Sequence, residues 1–254
     1  MGFPFNVGLK LYTTNVSLIQ DTLRLKDEGY FDYIELYIIP DSYAETIKSW
    51  KKINVPYVIH LAHSFHGVNL AQPEKWETNL IYFNEARQFA DDLESDVIIV
   101  HGGNNGTIDE TIRQIGLFNE SRIALENKPK VGVFNEICVG WSPEEFHRAL
   151  KAGILSGTVL DFVHAVCAAN SADIDKMKII GALAPFHPRV YHLSDGDALS
   201  EKDVHLNLGK GSLDLSAFLS VIPERGFVTI ETPRDPDKGL KDFVDDIHFL
   251  RTLF

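Results

Sequence analysis

Short apolar runs alternate with longer amphipathic stretches along the chain. The runs are partly β-branched and bounded by turn residues, which is typical of strands that are buried on both faces of a sheet. Eight runs fit this description, at residues 7–12, 33–39, 57–61, 97–100, 131–134, 157–160, 190–193 and 227–230. Each of them is predicted to be a strand.

The stretches between the runs carry helical signals. Residues 73–92 place Trp76, Leu80 and Phe83 at helical spacing. Ser142 and Pro143 fit an N-cap and the first position of a helix. Residues 214–222 and 240–253 repeat the amphipathic pattern. Strands that alternate with helices in this way predict parallel β/α units.

Eight such units predict an α/β protein with a (β/α)8 TIM barrel fold, as a single domain over residues 1–254. The chain length of 254 residues agrees with the roughly 250 that this fold needs. An open, doubly wound sheet is the alternative, and it usually carries a glycine-rich loop after its first strand. Here residues 11–15 read Leu-Tyr-Thr-Thr-Asn, so the barrel is favoured.

Composition narrows the functional classes. The net charge of −12 argues against a broad nucleic-acid surface. The two cysteines form no CxxC pair, so we expect reduced thiols. No apolar run approaches the ~20 residues of a membrane span, and the first ten residues do not resemble a signal peptide. We therefore expect a cytoplasmic protein with no membrane partner.

Acidic and imidazole side chains stand at or just after the predicted strands. They are Glu35, His60, His63, His101, Glu136, Asp161, His164, His192, Asp195, Asp203, His205 and Glu231. One histidine at a strand end is usually structural, and one acid there is often a helix N-cap. The C-terminal strand ends of a barrel converge on one mouth, however. So many carboxylates together would repel one another unless cations were bound between them.

Imidazole and carboxylate ligands suit zinc, manganese or iron. We therefore expect a divalent metal site at the mouth of the barrel.

The residues that carry this pattern resemble those of xylose isomerase-like barrels, and within them the endonuclease IV branch (AP endonuclease family 2). The similarity follows seven segments from the third strand to the eighth. They are His63 ahead of Asn69-Leu70, His101-Gly102-Gly103, Glu136 with Gly140, Asp161-x-x-His164, His192-Leu193-x-Asp195, Asp203-x-His205 before Leu208-Gly209-x-Gly211, and Glu231-Thr232.

This resemblance implies up to three divalent ions, most simply zinc, held by nine side chains. The implied ligands are His63, His101, Glu136, Asp161, His164, His192, Asp203, His205 and Glu231, with His60 as an alternative or additional ligand. It also implies phosphodiester cleavage at abasic sites, as in DNA repair. At the positions of the bulky DNA wedge of that branch, this chain has His66 and Gly67.

Three hypotheses of function stay open. The first is hydrolysis of a phosphodiester by a di- or trinuclear cluster in which Glu136 bridges two ions. The second is isomerisation or epimerisation of a sugar on one ion, with Glu136 and Glu231 as the acid–base pair. The third is a metal-binding barrel without catalysis. The number of metal ions per chain separates the first two.

Overall fold

The computed structural model describes residues 2–254, apart from the side chain of Pro236. Eight parallel strands form a closed barrel in which each strand pairs with the next along the chain and β8 pairs with β1. The predicted (β/α)8 barrel is therefore confirmed.

The strands are β1 Asn6–Tyr12, β2 Tyr33–Tyr37, β3 Tyr57–His60, β4 Ile98–His101, β5 Ile123–Glu126, β6 Gly157–Asp161, β7 Pro188–Leu193 and β8 Phe227–Ile230. The helices are α1 Ile19–Asp27, α2 Tyr43–Trp50, α3 Trp76–Asp92, α4 Ile108–Phe118, α5 Pro143–Lys151, α6 Phe162–Ala172, α7 Lys176–Leu183, α8 Leu215–Leu219 and α9 Lys241–Arg251.

The core has two parts, because the strands bury side chains on both faces. Inside the barrel, Tyr33 packs with small and β-branched residues such as Val58, Ile99 and Val190. Outside, a larger apolar layer joins the strands to the helices, with Trp50, Phe83 and Phe243 among its fully buried side chains. The two layers hold the strands so that all eight C-terminal ends meet at one mouth.

Local signals in the sequence set several helix boundaries. The Ser142 hydroxyl accepts a hydrogen bond from the backbone amide of Glu145, and the Glu145 carboxylate accepts one from the backbone amide of Ser142. Pro143 opens α5 as predicted. None of the helices described over residues 2–254 is long and apolar enough to cross a membrane.

Seven predicted strands coincide with observed ones to within a few residues, but the predicted strand at 131–134 is wrong. The fifth strand is Ile123–Glu126, which pairs with β4 and β6. Residues 131–134 instead belong to a loop that pairs with itself through Val131 and Ile137. This shift changes which glutamate lies at the barrel mouth.

Candidate metal centre

Nine acidic and imidazole side chains converge at the C-terminal ends of six neighbouring strands, from β3 to β8. They are His60 of β3, His101 of β4, Glu126 of β5, Asp161 of β6, His164 of α6, His192 of β7, Asp203 and His205 of the loop after β7, and Glu231 directly after β8. Their ligand atoms form three overlapping groups, each of which could hold one cation.

The first group joins β3, β4 and β5. Nε2 of His60 and Nε2 of His101 both lie 3.1 Å from the same Glu126 oxygen, Oε2. The other ring nitrogen of His60, Nδ1, donates to the carbonyl of Leu61 at 2.9 Å. That hydrogen bond fixes the tautomer, leaving Nε2 available as a ligand, as in most metal-binding histidines.

The second group contains Glu126, Asp161, His192 and Glu231. Nδ1 of His192 lies 2.6 Å from Oε2 of Glu231 and 3.5 Å from Oε1 of Glu126. Nε2 of His192 is 2.8 Å from the buried carboxylate of Glu35, which therefore orients the imidazole from behind. Because Glu126 has one oxygen in each group, it could bridge two cations.

The third group contains Asp161, His164 and His205, with Asp203 in contact with both histidines. Asp203 lies 3.2 Å from Nε2 of His164 and 3.0 Å from Nε2 of His205. Nδ1 of His164 donates to the carbonyl of Asn127 at 2.8 Å, again leaving Nε2 towards the site. Asp161 is common to the second and third groups.

Several of these atoms are buried without a hydrogen-bond partner among the described residues, which is costly in a folded protein. They are Glu126 Oε1, Asp161 Oδ2, His192 Nδ1, Asp203 Oδ1, His205 Nε2 and Glu231 Oε2. All six belong to residues of the second and third groups or to Asp203, which contacts the third. Bound divalent cations would satisfy all six at once, so the residues fit a cluster of metal ions.

The protonation states reflect the crowding of charge. Burial raises the pKa of Asp161, because its carboxylate loses hydration. Burial opposes charge on His205 too, but Asp203 and Asp161 together raise the pKa of its imidazole to about 9. Neighbouring carboxylates likewise raise the pKa of His164 and His192, whereas burial lowers the pKa of His101 to about 3. Without metal, protonated His164, His192 and His205 therefore balance part of the carboxylate charge. Metal ions would replace those protons.

Lys10 of β1 is a member of the site that the sequence interpretation missed. Its ammonium lies 2.5 Å from Glu231 and 3.1 Å from Glu35. Burial alone would raise the pKa of Glu35, but His192 and Lys10 lower it to about 2. A lysine in the middle of an otherwise apolar strand was the available signal, because a charge there needs a buried partner.

Two predicted ligands, Glu136 and His63, lie outside the three groups. Glu136 lies in the loop after β5 and its Oε2 accepts a hydrogen bond from the backbone of Phe134, whereas Glu126 reaches the cluster at the true end of β5. His63 lies beyond β3, stacked on His101 with ring centroids 5.3 Å apart, and it belongs to none of the three groups. The alternative histidine, His60, lies in the first group instead.

The other seven predicted ligands all lie in the cluster. Asp195, which also follows β7, has a structural role. Its carboxylate accepts hydrogen bonds from the backbone amides of Gly196, Gly211 and Leu213. Glu35 supports the cluster through His192.

Comparison with known proteins agrees with this architecture. A family model described as "Xylose isomerase-like TIM barrel" matches residues 24–253. No curated protein matches the chain in sequence.

Similar solved structures include a D-tagatose 3-epimerase-like protein, with a TM-score of 0.72, 19% identity and coverage of 98% of this chain and 97% of that one. Endonuclease IV from Thermus thermophilus has a TM-score of 0.69 and 19% identity, with coverage of 97% of this chain and 99% of that one. A second protein from the same organism, TTHB071, whose structure was obtained by soaking with ZnCl2, has a TM-score of 0.65 and 23% identity, with coverage of 95% of this chain and 98% of that one. At these identities the likeness shows the fold alone.

Proposed function

Because the chain belongs to the xylose isomerase-like TIM barrel family, we propose that it is a metal-dependent hydrolase that cleaves a phosphoester bond with up to three divalent ions, most simply zinc. One observation carries the proposal. Eight ligand side chains form three contiguous groups that share Glu126 and Asp161, and Asp203 contacts the third group. Six atoms of these nine residues are buried without a hydrogen-bond partner among the described residues. A single-ion enzyme would need only one of these groups.

The chain's own residues would prepare the site for an anionic substrate. Bound divalent ions supply Lewis acidity towards phosphoryl oxygens and favour the ionisation of water. Glu126 and Asp161 would keep neighbouring ions close together, since each carboxylate faces two groups. Glu35 holds the His192 ring in position. Lys10 holds Glu231 by a charged contact and is itself part of the cavity wall.

A second candidate is isomerisation or epimerisation of a sugar. The group of Glu126, Asp161, His192 and Glu231 is complete by itself, and it could hold one ion beside a carbonyl and a neighbouring hydroxyl. Glu126 and Glu231 would then be the acid–base pair, because Glu136 lies outside the group. In that case the other two groups would hold no metal.

Metal content and activity distinguish the two candidates. Protein purified without chelators should contain close to three ions per chain by elemental analysis, and it should hydrolyse a small phosphodiester such as methyl 4-nitrophenyl phosphate. His205→Ala should lose one ion and most hydrolysis. His147→Ala, on the exposed side of α5, is the matched control. One ion per chain together with turnover of a ketose would instead establish the second candidate.

A further inference from the structure

The loop after β5 folds over the cluster. Residues 129–138, called the lid below, form a narrow hairpin in which Cys138 donates to the carbonyl of Lys130 and Gly132 to that of Glu136. A cavity of about 110 Å³ lies beneath it, bounded by Gly132, Glu136 and Cys138 of the lid and by cluster residues such as His101 and Glu231. The lid is therefore a wall of the site.

Contacts hold the lid on several sides. Towards β4, Asn105 donates to the carbonyl of Ile137 at 2.7 Å, and the Ile137 amide donates to the Asn105 side chain at 3.0 Å. Towards the loop after β7, Lys202 donates to the carbonyl of Val133 at 3.1 Å. Towards α6, Lys130 donates to the carbonyl of Ser171 at 3.3 Å.

A pair of aromatic rings closes the side towards β3. Phe134 of the lid meets Phe65 edge to face, with centroids 5.8 Å apart. These side chains are 74% and 64% exposed. Phe65 lines the cavity, and Phe134 packs against it from the lid. Val133 and Ile137 are exposed on the same lid. The rim on this side is thus apolar.

The dimensions and chemistry of this entrance limit the substrate. Ligand pockets for drug-sized molecules occupy roughly 300–1,000 Å³, and the space beneath the lid, of about 110 Å³, is well below that range. A wider cleft of about 480 Å³ opens beside it along Lys10, His205 and Glu231, away from the lid. A protein that holds duplex DNA neutralises several phosphates with lysine and arginine, whereas this rim presents phenylalanine, valine and isoleucine. The cations that line the cavity, Lys10 and Lys128, lie inside it.

We propose that the lid, residues 129–138, admits only a compact phosphoester group to the part of the site beneath it and keeps duplex DNA out of that part. The inference rests on the proposed phosphoester chemistry for its substrate class, but the size limit comes from the lid alone. Lys10 and Lys128 would meet the oxygens of the small anion. Phe65 and Phe134 would be specificity-determining residues that exclude large substituents.

Equilibrium binding tests the size limit without requiring turnover. Zinc-loaded full-length protein is titrated with inorganic phosphate by calorimetry, and then with a fluorescent duplex that contains one tetrahydrofuran abasic analogue. Phosphate should bind, and the duplex should bind more weakly than about 10⁻⁴ M at physiological salt and should not displace phosphate. A duplex that displaces phosphate overturns the inference, and so does a failure of phosphate to bind.

The part played by the rings is tested with two phosphodiesters, methyl 4-nitrophenyl phosphate and bis(4-nitrophenyl) phosphate. In Phe65→Ala/Phe134→Ala, the preference for the larger ester should rise about tenfold relative to wild type. Leu117→Ala, an exposed apolar residue of α4, is the matched control and should leave the preference unchanged. An equal change in both variants, or none in either, contradicts the role of the rings.

The two proposals can fail separately. If neither ester is hydrolysed, the proposed function fails, and the preference is then measured as the ratio of the two esters' dissociation constants. If hydrolysis occurs but the duplex is cleaved as efficiently as the small esters, the function stands and the size limit fails.

Discussion

Lys10 and Glu231 form a direct ion pair across the seam between β1 and β8, with 2.5 Å between the ammonium nitrogen and Oε1. The second carboxylate contact of Lys10 is the fully buried Glu35, at 3.1 Å. A permanent cation therefore lies beside the second group of ligands. Its charge offsets part of the repulsion that the clustered carboxylates would otherwise suffer.

Replacing Lys10 with methionine should destabilise the metal-free protein by about 3 kcal/mol, because the substitution leaves buried carboxylates without their partner. The measurement is urea unfolding in the presence of a chelator. Lys51→Met is the matched control: its ion pair with Asp92 is exposed, so its loss should cost less than about 1 kcal/mol. Equal losses in both variants would show that Lys10 is not needed to offset the charge.

Glu126→Gln and Glu136→Gln form a second matched pair. Glu126 belongs to two ligand groups, so its replacement by glutamine should reduce the metal content by at least one ion per chain and abolish most hydrolysis. Glu136 lies outside the groups, and its replacement by glutamine should leave the metal content unchanged. Elemental analysis of the two variants, purified side by side, gives the answer. Loss of metal from the Glu136 variant alone would make Glu136 the ligand in place of Glu126.

His60→Ala and His63→Ala test the ligand of the third strand in the same way. Nε2 of His60 faces Glu126 at 3.1 Å, so its removal should empty the first group while the second and third keep their ions. His63 packs on His101 without joining the group, so its removal should retain all ions. Zinc titration of the metal-free variants counts the sites. Unchanged stoichiometry in His60→Ala would exclude His60 as a ligand.

Gly8→Ala probes the interior of the barrel. A Cβ at Gly8 would overlap the Tyr33 ring, whose hydroxyl is fixed by a 2.8 Å hydrogen bond to Thr229. We expect a loss of about 1–3 kcal/mol in the free energy of unfolding, as for other overpacked cores. Gly116→Ala, in α4 with open space around it, should instead gain about 0.5–1 kcal/mol. A neutral Gly8 variant would mean that the Tyr33 ring shifts without cost.

The fifth strand shows where local pattern and tertiary pairing disagree. Ile123-Ala124-Leu125-Glu126 contains good helix formers, and the local pattern therefore favours the end of a helix. In the barrel, Ile123 pairs with Ile98 and Glu126 with His101. Residues 131–134 have stronger β-branched character but no neighbouring strand to join. Strand propensity depends on such context more than helix propensity does.

The sequence alone predicted parallel β/α units, because the alternation of apolar runs and amphipathic helices is a local property repeated along the chain. The absence of a glycine-rich loop after the first strand then favoured closure into a barrel. The sequence also located seven of the nine clustered side chains, since a residue at a strand end must lie at the mouth once the barrel closes. Tertiary structure alone decided between Glu126 and Glu136, between His60 and His63, and the placement of Lys10 and the lid. Each of these depends on which distant segments pair, and that information is not contained in the spacing of residues along one segment.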